Sequence, residues 1–197
     1  ARKKLAEFPG INGAPAWSPD GKHMAMTLSR DGNPEIYVMH IASGSLRRLT
    51  NHSSIDTEAA WSPDGRHLVF TSDRAGRPQI YRMSAAGGRA ERLTFEGKEN
   101  ARASYDQAGE HLTLVTNHGN GDQIGVFSLP KRSLEILTNG RFDESPTFAP
   151  NGAMILYAGQ RGGSGLLSAV SADGRVKQVL RSESGTVREP AWSSLNR

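Results

Sequence analysis

Six histidines are the side chains with the widest chemical reach in this chain, and three keep one beat: His23, His67 and His111 stand 44 residues apart. A metal site gathers its ligands around one point, whereas equal spacing at that length puts each copy on a separate structural unit. His40, His52 and His118 fall at no metal-ligand spacing, and no His-Glu-x-x-His word occurs. Serine nucleophiles are no better served. Gly162-Gly163-Ser164-Gly165-Leu166 lacks the final glycine of a nucleophile elbow and reads as a hairpin turn. Gly119-Asn120-Gly121 has no helix pattern behind it to cradle a phosphate. Cysteine is absent, which removes thiolate catalysis, disulfides and thiol metal sites together. The paired acids Asp20 and Asp64 each sit in Ser-Pro-Asp-Gly, where Pro presets φ and Asp and Gly complete a turn. The third unit, Asp106-Gln107-Ala108-Gly109, and the fourth, with Asn151, carry no acid at that slot, so no shared carboxylate chemistry is at work. The reading is a protein without catalysis and without a cofactor.

The elements that carry these residues form a repeat. Ala16-Trp17-Ser18-Pro19-Asp20-Gly21 returns as Ala60-Trp61-Ser62-Pro63-Asp64-Gly65, and Tyr105, Phe148 and Trp192 continue the aromatic slot at steps of 44, 43 and 44. Leu5, Leu49, Leu93 and Leu137 keep a second marker in phase, the last three within the word Leu-Thr. Each unit holds four β-rich runs bounded by Gly, Pro, Asn and Asp turns, and no stretch has a helical period. Periods of this length with four short strands are those of propeller blades. The second run of each unit is apolar on both faces (Met24 to Leu28, Leu68 to Phe70, Leu112 to Val115, Met154 to Tyr157), as a sheet packed between two other sheets requires. The aromatic slot reads as a wedge between blades.

The expected fold is therefore an all-β β-propeller, an arc of four complete four-stranded blades plus two partial ones. Its boundaries are a partial blade over 1–13, blades at about 14–57, 58–101, 102–144 and 145–188, and a closing strand over 189–197. No window of 18 apolar residues exists to span a membrane, and Ala1 to Leu5 holds no signal-peptide core. The net charge of +4 comes from dispersed residues such as Arg47, Arg48, Arg66, Arg74, Arg77, Arg89 and Arg92, which read as solvated surface and not as a nucleic-acid stripe.

Function is expected where the chain crosses from one blade to the next, just ahead of each aromatic. Those segments are Ile11 to Ala14, Asp56 to Glu58, Asn100 to Arg102, Asp143 to Ser145 and Val187 to Glu189. In a propeller they gather at one mouth of the channel, and turn formation alone does not demand their mix of charges. Their carboxylates, Asp56, Glu58, Asp143, Glu144 and Glu189, are also oxygen donors of the kind calcium takes.

The words Trp-Ser-Pro-Asp-Gly, Ile36-Tyr-Val-Met39, Phe70-Thr-Ser-Asp-Arg-Ala-Gly-Arg-Pro-Gln-Ile-Tyr81, Arg92-Leu-Thr-Phe-Glu-Gly97, Asp143-Glu-Ser-Pro146 and Glu189-Pro-Ala-Trp-Ser193 resemble the propellers of the TolB family over essentially the whole chain. The resemblance implies a six-bladed propeller in a periplasmic component of the Tol–Pal system, which holds the outer membrane and draws it in during division. It implies binding of the lipoprotein Pal at the channel mouth, and use of the same surface by colicins. Relative to that family the chain lacks an N-terminal α/β domain and about a blade and a half. Ala14, Thr57 and Glu58 fall on family positions at the partner surface. The neighbouring Asn100, Arg102, Asp143, Glu144 and Arg188 complete the candidate partner-binding set. The rival expectation is the gating propeller of a prolyl-oligopeptidase-like serine hydrolase, which shares the repeats.

Overall fold

The computed structural model describes residues 4–161, 164–180 and 186–192, and no described residue is helical. It contains four antiparallel sheets of four strands, each in simple sequence order. The first holds β1 (Asn12–Trp17), β2 (His23–Leu28), β3 (Glu35–His40) and β4 (Leu46–Arg48). The second holds β5 (Asp56–Trp61), β6 (His67–Ser72), β7 (Gln79–Ser84) and β8 (Glu91–Arg92). The third holds β9 (Glu99–Tyr105), β10 (His111–Asn117), β11 (Asp122–Ser128) and β12 (Ser133–Ile136). The fourth holds β13 (Glu144–Phe148), β14 (Met154–Arg161), β15 (Ser164–Ser171) and β16 (Lys177–Leu180). These are the expected propeller blades. They group as two compact units, Ala1–Leu93 and Thr94–Arg197, of two blades each.

In the first unit the two blades bury Ala25, Ile36 and Val38 against Ala59, Leu68, Phe70, Tyr81 and Met83. In the second, Val115, Ile124 and Leu137 pack with Phe148, Ile155, Tyr157 and Val170. The second strands are buried on both faces, as their apolar runs require: five successive residues are buried in β2, in β6 and in β10. The aromatic slot is a staple between blades. The Trp61 Nε1–H donates to Ala16 O at 3.1 Å and the Trp192 Nε1–H to Thr147 O at 3.1 Å, each 45 residues back along the chain. Trp17, the first of the series, is 53% exposed.

The Ser-Pro-Asp-Gly turns work as read. Ser18 Oγ donates to Asp20 Oδ1 at 2.6 Å, Lys22 N donates to the same oxygen at 3.0 Å, and Gly21 takes φ 68°. Ser62, Asp64 and Arg66 repeat the arrangement. In the third blade Asp106 stands at the serine position and itself accepts from the Glu110 and His111 amides.

Both flanks differ from expectation. Residues 4–8 form no strand; Ala6 and Phe8 instead lie on the apolar face made by Met24, Met26, Leu28, Tyr37 and Met39. The expected closing strand over 189–197 is also absent from its described part, residues 189–192, and the rest lies outside the described residues. A strand exists only by pairing, and Trp192 meets the last blade through its indole hydrogen bond to Thr147 O.

Several arginines read as solvated surface are structural. Arg74 Nη2 donates to Asp56, a carboxylate with 0% exposure, while its guanidinium lies 5.5 Å from the Phe70 ring centroid and 5.0 Å from that of Tyr81. Arg48 Nη2 donates at 2.8 Å to the equally buried Glu35. Arg47 crosses between blades to the carbonyls of Ala85 and Ala86. Long side chains lie along apolar surface while their charged ends find partners, which scattered positions in a sequence do not reveal.

Candidate partner-binding site

Each blade starts its innermost strand with the same irregularity. The pairing of β1 with β2 runs Gly13 with Thr27 and then jumps to Ala16 with Ala25, so two residues, Ala14 and Pro15, face one. The jump recurs at Thr57/Ala60, at Ala101/Ser104 and at Glu144/Thr147. The leading residue of every bulge is left-handed without being glycine: Ala14 (φ 46°), Glu58 (56°), Arg102 (55°) and Ser145 (55°). Glu189, one step further on, adopts 47° without a strand around it. An L-residue in this region costs about 1–2 kcal/mol. Bulges of this kind bend a strand and re-aim a side chain, and they cluster next to functional sites. Ala14→Gly should therefore raise stability by about 1 kcal/mol, read as a higher urea midpoint at unchanged slope. No gain in midpoint would show that the bulge carries no strain.

The eight candidate residues separate by burial. In the first unit, Ala14, Thr57 and Glu58 are half-buried on neighbouring inner strands. Thr57 Oγ1 is 3.2 Å from Thr27 Oγ1, Glu58 N donates to that Thr27 oxygen at 3.3 Å, and Thr71 Oγ1 donates to Glu58 Oε2 at 3.1 Å. A threonine cluster thus orients the Glu58 carboxylate. In the second unit, Arg102 joins the next blade: Nη1 donates to Ser145 Oγ at 2.9 Å and lies 3.7 Å from Glu144 Oε2. Glu144 also lines a cavity of about 340 Å³ together with half-buried Val187 and the exposed Phe142 and Arg188.

Asn100 and Asp143 lie inside the fold. Asn100 is fully buried, and its Nδ2 donates to Glu96 O at 2.7 Å. Asp143, 6% exposed, accepts from Thr138 Oγ1 at 2.6 Å. Burial pushes its carboxyl above the usual range, against the Thr138 hydroxyl and the Gly140 amide, which pull it down. They share their repeat slot with buried Asp56, so the slot anchors the crossing from within. Among the described residues no group of three or more His, Asp or Glu is placed to hold a metal, and Asp56, one of the proposed calcium donors, is paired with Arg74.

Two arrangements had no sequence signal. His23 and His40 face each other across β2 and β3, their rings 5.1 Å apart, although nothing in their spacing joins them. The repeated Leu-Thr word also proves to be a polar lock. Ile36 N donates to Thr50 Oγ1 at 2.9 Å while that hydroxyl donates to the buried Glu35. Ile124 N and Asp143 hold Thr138 in the same way, at 2.9 and 2.6 Å.

Comparison with known proteins agrees with this blade anatomy. The TolB beta propeller domain matches residues 1–196. The Tol-Pal system protein TolB of Alcanivorax borkumensis is 62% identical over 192 residues, covering 98% of this chain and 44% of that protein, so the chain spans less than half of its relative. The crystal structure of TolB from Acinetobacter baumannii superimposes with a TM-score of 0.91 at 47% identity, over 98% of this chain and 48% of that one. A Mycobacterium tuberculosis puromycin-hydrolyzing peptidase reaches a TM-score of 0.74 over 96% of this chain and 31% of its own, at 18% identity, a likeness of fold alone. With the blades, their turns and nearly every residue in register, the chain belongs to the TolB β-propeller family.

Proposed function

We propose that this chain is the partner-binding portion of a non-enzymatic periplasmic scaffold of the Tol–Pal system. It binds the lipoprotein Pal through the bulged starts of its inner strands and thereby supports outer-membrane integrity and constriction at division. Colicins would exploit the same surface. The observation that carries this reading is the left-handed bulge repeated in every blade. It presents a different side chain each time, among them Ala14, Glu58 and Arg102, from one rigid backbone device. High identity to proteins named for the Tol–Pal system supports the choice of partner.

Within the surface, Glu58 accepts hydrogen bonds or pairs with a cation, Thr57 adds a hydroxyl contact, and Ala14 permits close approach. On the second unit, taken by itself, Arg102, Glu144 and Arg188 supply charge at the equivalent crossings. Asn100 and Asp143 hold the crossings in shape from beneath. Glu58→Ala in the full-length protein should weaken Pal binding by about 1–3 kcal/mol, the loss expected for one charged contact. Titration calorimetry reads the affinity, and a thermal melt checks that the fold is intact. An unchanged affinity in a folded variant would remove Glu58 from the surface.

A further inference from the structure

At the other end of β1 and β5 from Ala14 and Glu58, the first two blades enclose a groove of about 310 Å³ between their Ser-Pro-Asp-Gly turns. One wall is the Trp61 indole, fixed by its hydrogen bond to Ala16 O, with the His23 ring centroid 6.4 Å away. Val38 supplies apolar surface, and the carboxylates of Asp20 and Asp64 line the same space from the two abutting turns. Arg47 also lines it, but both its terminal nitrogens are committed to the Ala85 and Ala86 carbonyls at 2.7 Å.

The second unit provides an internal control. The equivalent groove between its blades, about 630 Å³, has Ala108 in place of Asp20, Asn151 in place of Asp64 and Phe148 in place of Trp61, while Asp106 and Glu110 line it from the third blade. Those turns close without an acid at that slot: Asn151 Oδ1 accepts from the Ala153 amide at 3.1 Å, and Asp106 takes over in the third blade. Turn closure therefore does not demand a carboxylate there, yet the first groove has two beside its indole. Each spends Oδ1 on its own turn, and Arg66 Nε comes within 3.6 Å of Asp64 Oδ2 on an exposed side chain. The serine hydroxyls, and after them the backbone amides, hold both acids below the usual carboxylate range and so ionised.

We infer that this groove is a second recognition site, separate from the Pal surface, which takes a basic side chain of an extended peptide segment, arginine or lysine. The aliphatic stem would lie along Val38, the cation would face the indole, and the charge would be met by Asp20 and Asp64. The two carboxylates outnumber the one lining cation, Arg47, which favours such a ligand over an acidic one.

The test is an NMR titration of the full-length protein with N-acetyl-arginine amide, and with N-acetyl-glutamate amide for comparison. The Trp61 indole N–H signal should move saturably with the arginine probe and stay still with the glutamate probe. Asp20→Asn combined with Asp64→Asn, which keeps the amide oxygens as turn acceptors, should weaken arginine binding about tenfold at an unchanged melting temperature. Should the double variant fail to fold, Trp61→Phe, which has no indole signal, must weaken binding of the arginine probe as read by titration calorimetry. No movement of Trp61, equal response to both probes, or unchanged binding in a folded variant would each overturn the site. Pal binding by the same preparation is read separately, so either site can fail alone.

Discussion

Arg74→Ala should destabilise the protein by about 3–5 kcal/mol, the cost of leaving a buried charge without its partner. Asp56 is wholly enclosed, and its Oδ1 has no hydrogen-bond partner among the described residues, so the guanidinium contact at Oδ2 is its main compensation. Asp56 N donates to Pro34 O at 3.0 Å, which holds the carboxylate in place whether or not Arg74 is present. The same substitution strips a stacked cation from Phe70 and Tyr81, whose ring centroids lie 6.0 Å apart at the blade core. Neutralising the acid in the Arg74→Ala background with Asp56→Asn should recover a good part of the loss, because the desolvated charge is then gone. Urea denaturation of the two single variants and the double gives the coupling. A loss under about 1 kcal/mol for Arg74→Ala would class the pair with exposed ion pairs and defeat the argument.

Thr50→Val should cost about 2–4 kcal/mol, since it leaves a buried amide and a buried carboxylate each short of a hydrogen bond. The hydroxyl joins Ile36 N, on β3, to Glu35, which is fully buried and also accepts from Arg48 Nη2 and from His52 N at 2.7 Å. Valine matches the shape and supplies neither donor nor acceptor. Thr50→Ser restores both and should return most of the stability, which separates the hydrogen-bond role from packing. If valine and serine behave alike in thermal melts, the lock contributes nothing. Thr138, built the same way on Ile124 N and Asp143, offers an independent repeat of the measurement in the second unit.

The blade plan could be read from the sequence because its causes are local. Ser18 and Asp20 close a turn with groups two to five residues away, and the apolar run of β2 announces its double burial without help from elsewhere. The aromatic slot was likewise readable as a wedge, since Trp61 meets Ala16 one repeat back. Contacts between distant residues with no compositional mark stayed hidden. Arg48 and Arg74 look like any exposed arginine until Glu35 and Asp56 are seen buried beneath them. Leu-Thr could be followed as a rhythm, but its threonine hydroxyl acts on an amide 14 residues away. The bulges hid for another reason. Left-handed backbone is usually flagged by glycine, and here Ala14, Glu58, Arg102 and Ser145 occupy it, so no residue type betrays the bend. Charge marks the crossings in the sequence, but burial divides them: Glu58 and Arg102 are part-exposed, while Asn100 and Asp143 are buried.

Because the pairing around each bulge sets its bend, whichever amino acid occupies the leading position inherits the same outward direction. Codons 14, 58, 102 and 145 can thus drift, or be randomised together in a display library, without moving the backbone bend, at the cost of the Glu58–Thr71 and Arg102–Ser145 hydrogen bonds. Such a protein could follow a changing partner, or be re-addressed to a new one, one blade at a time.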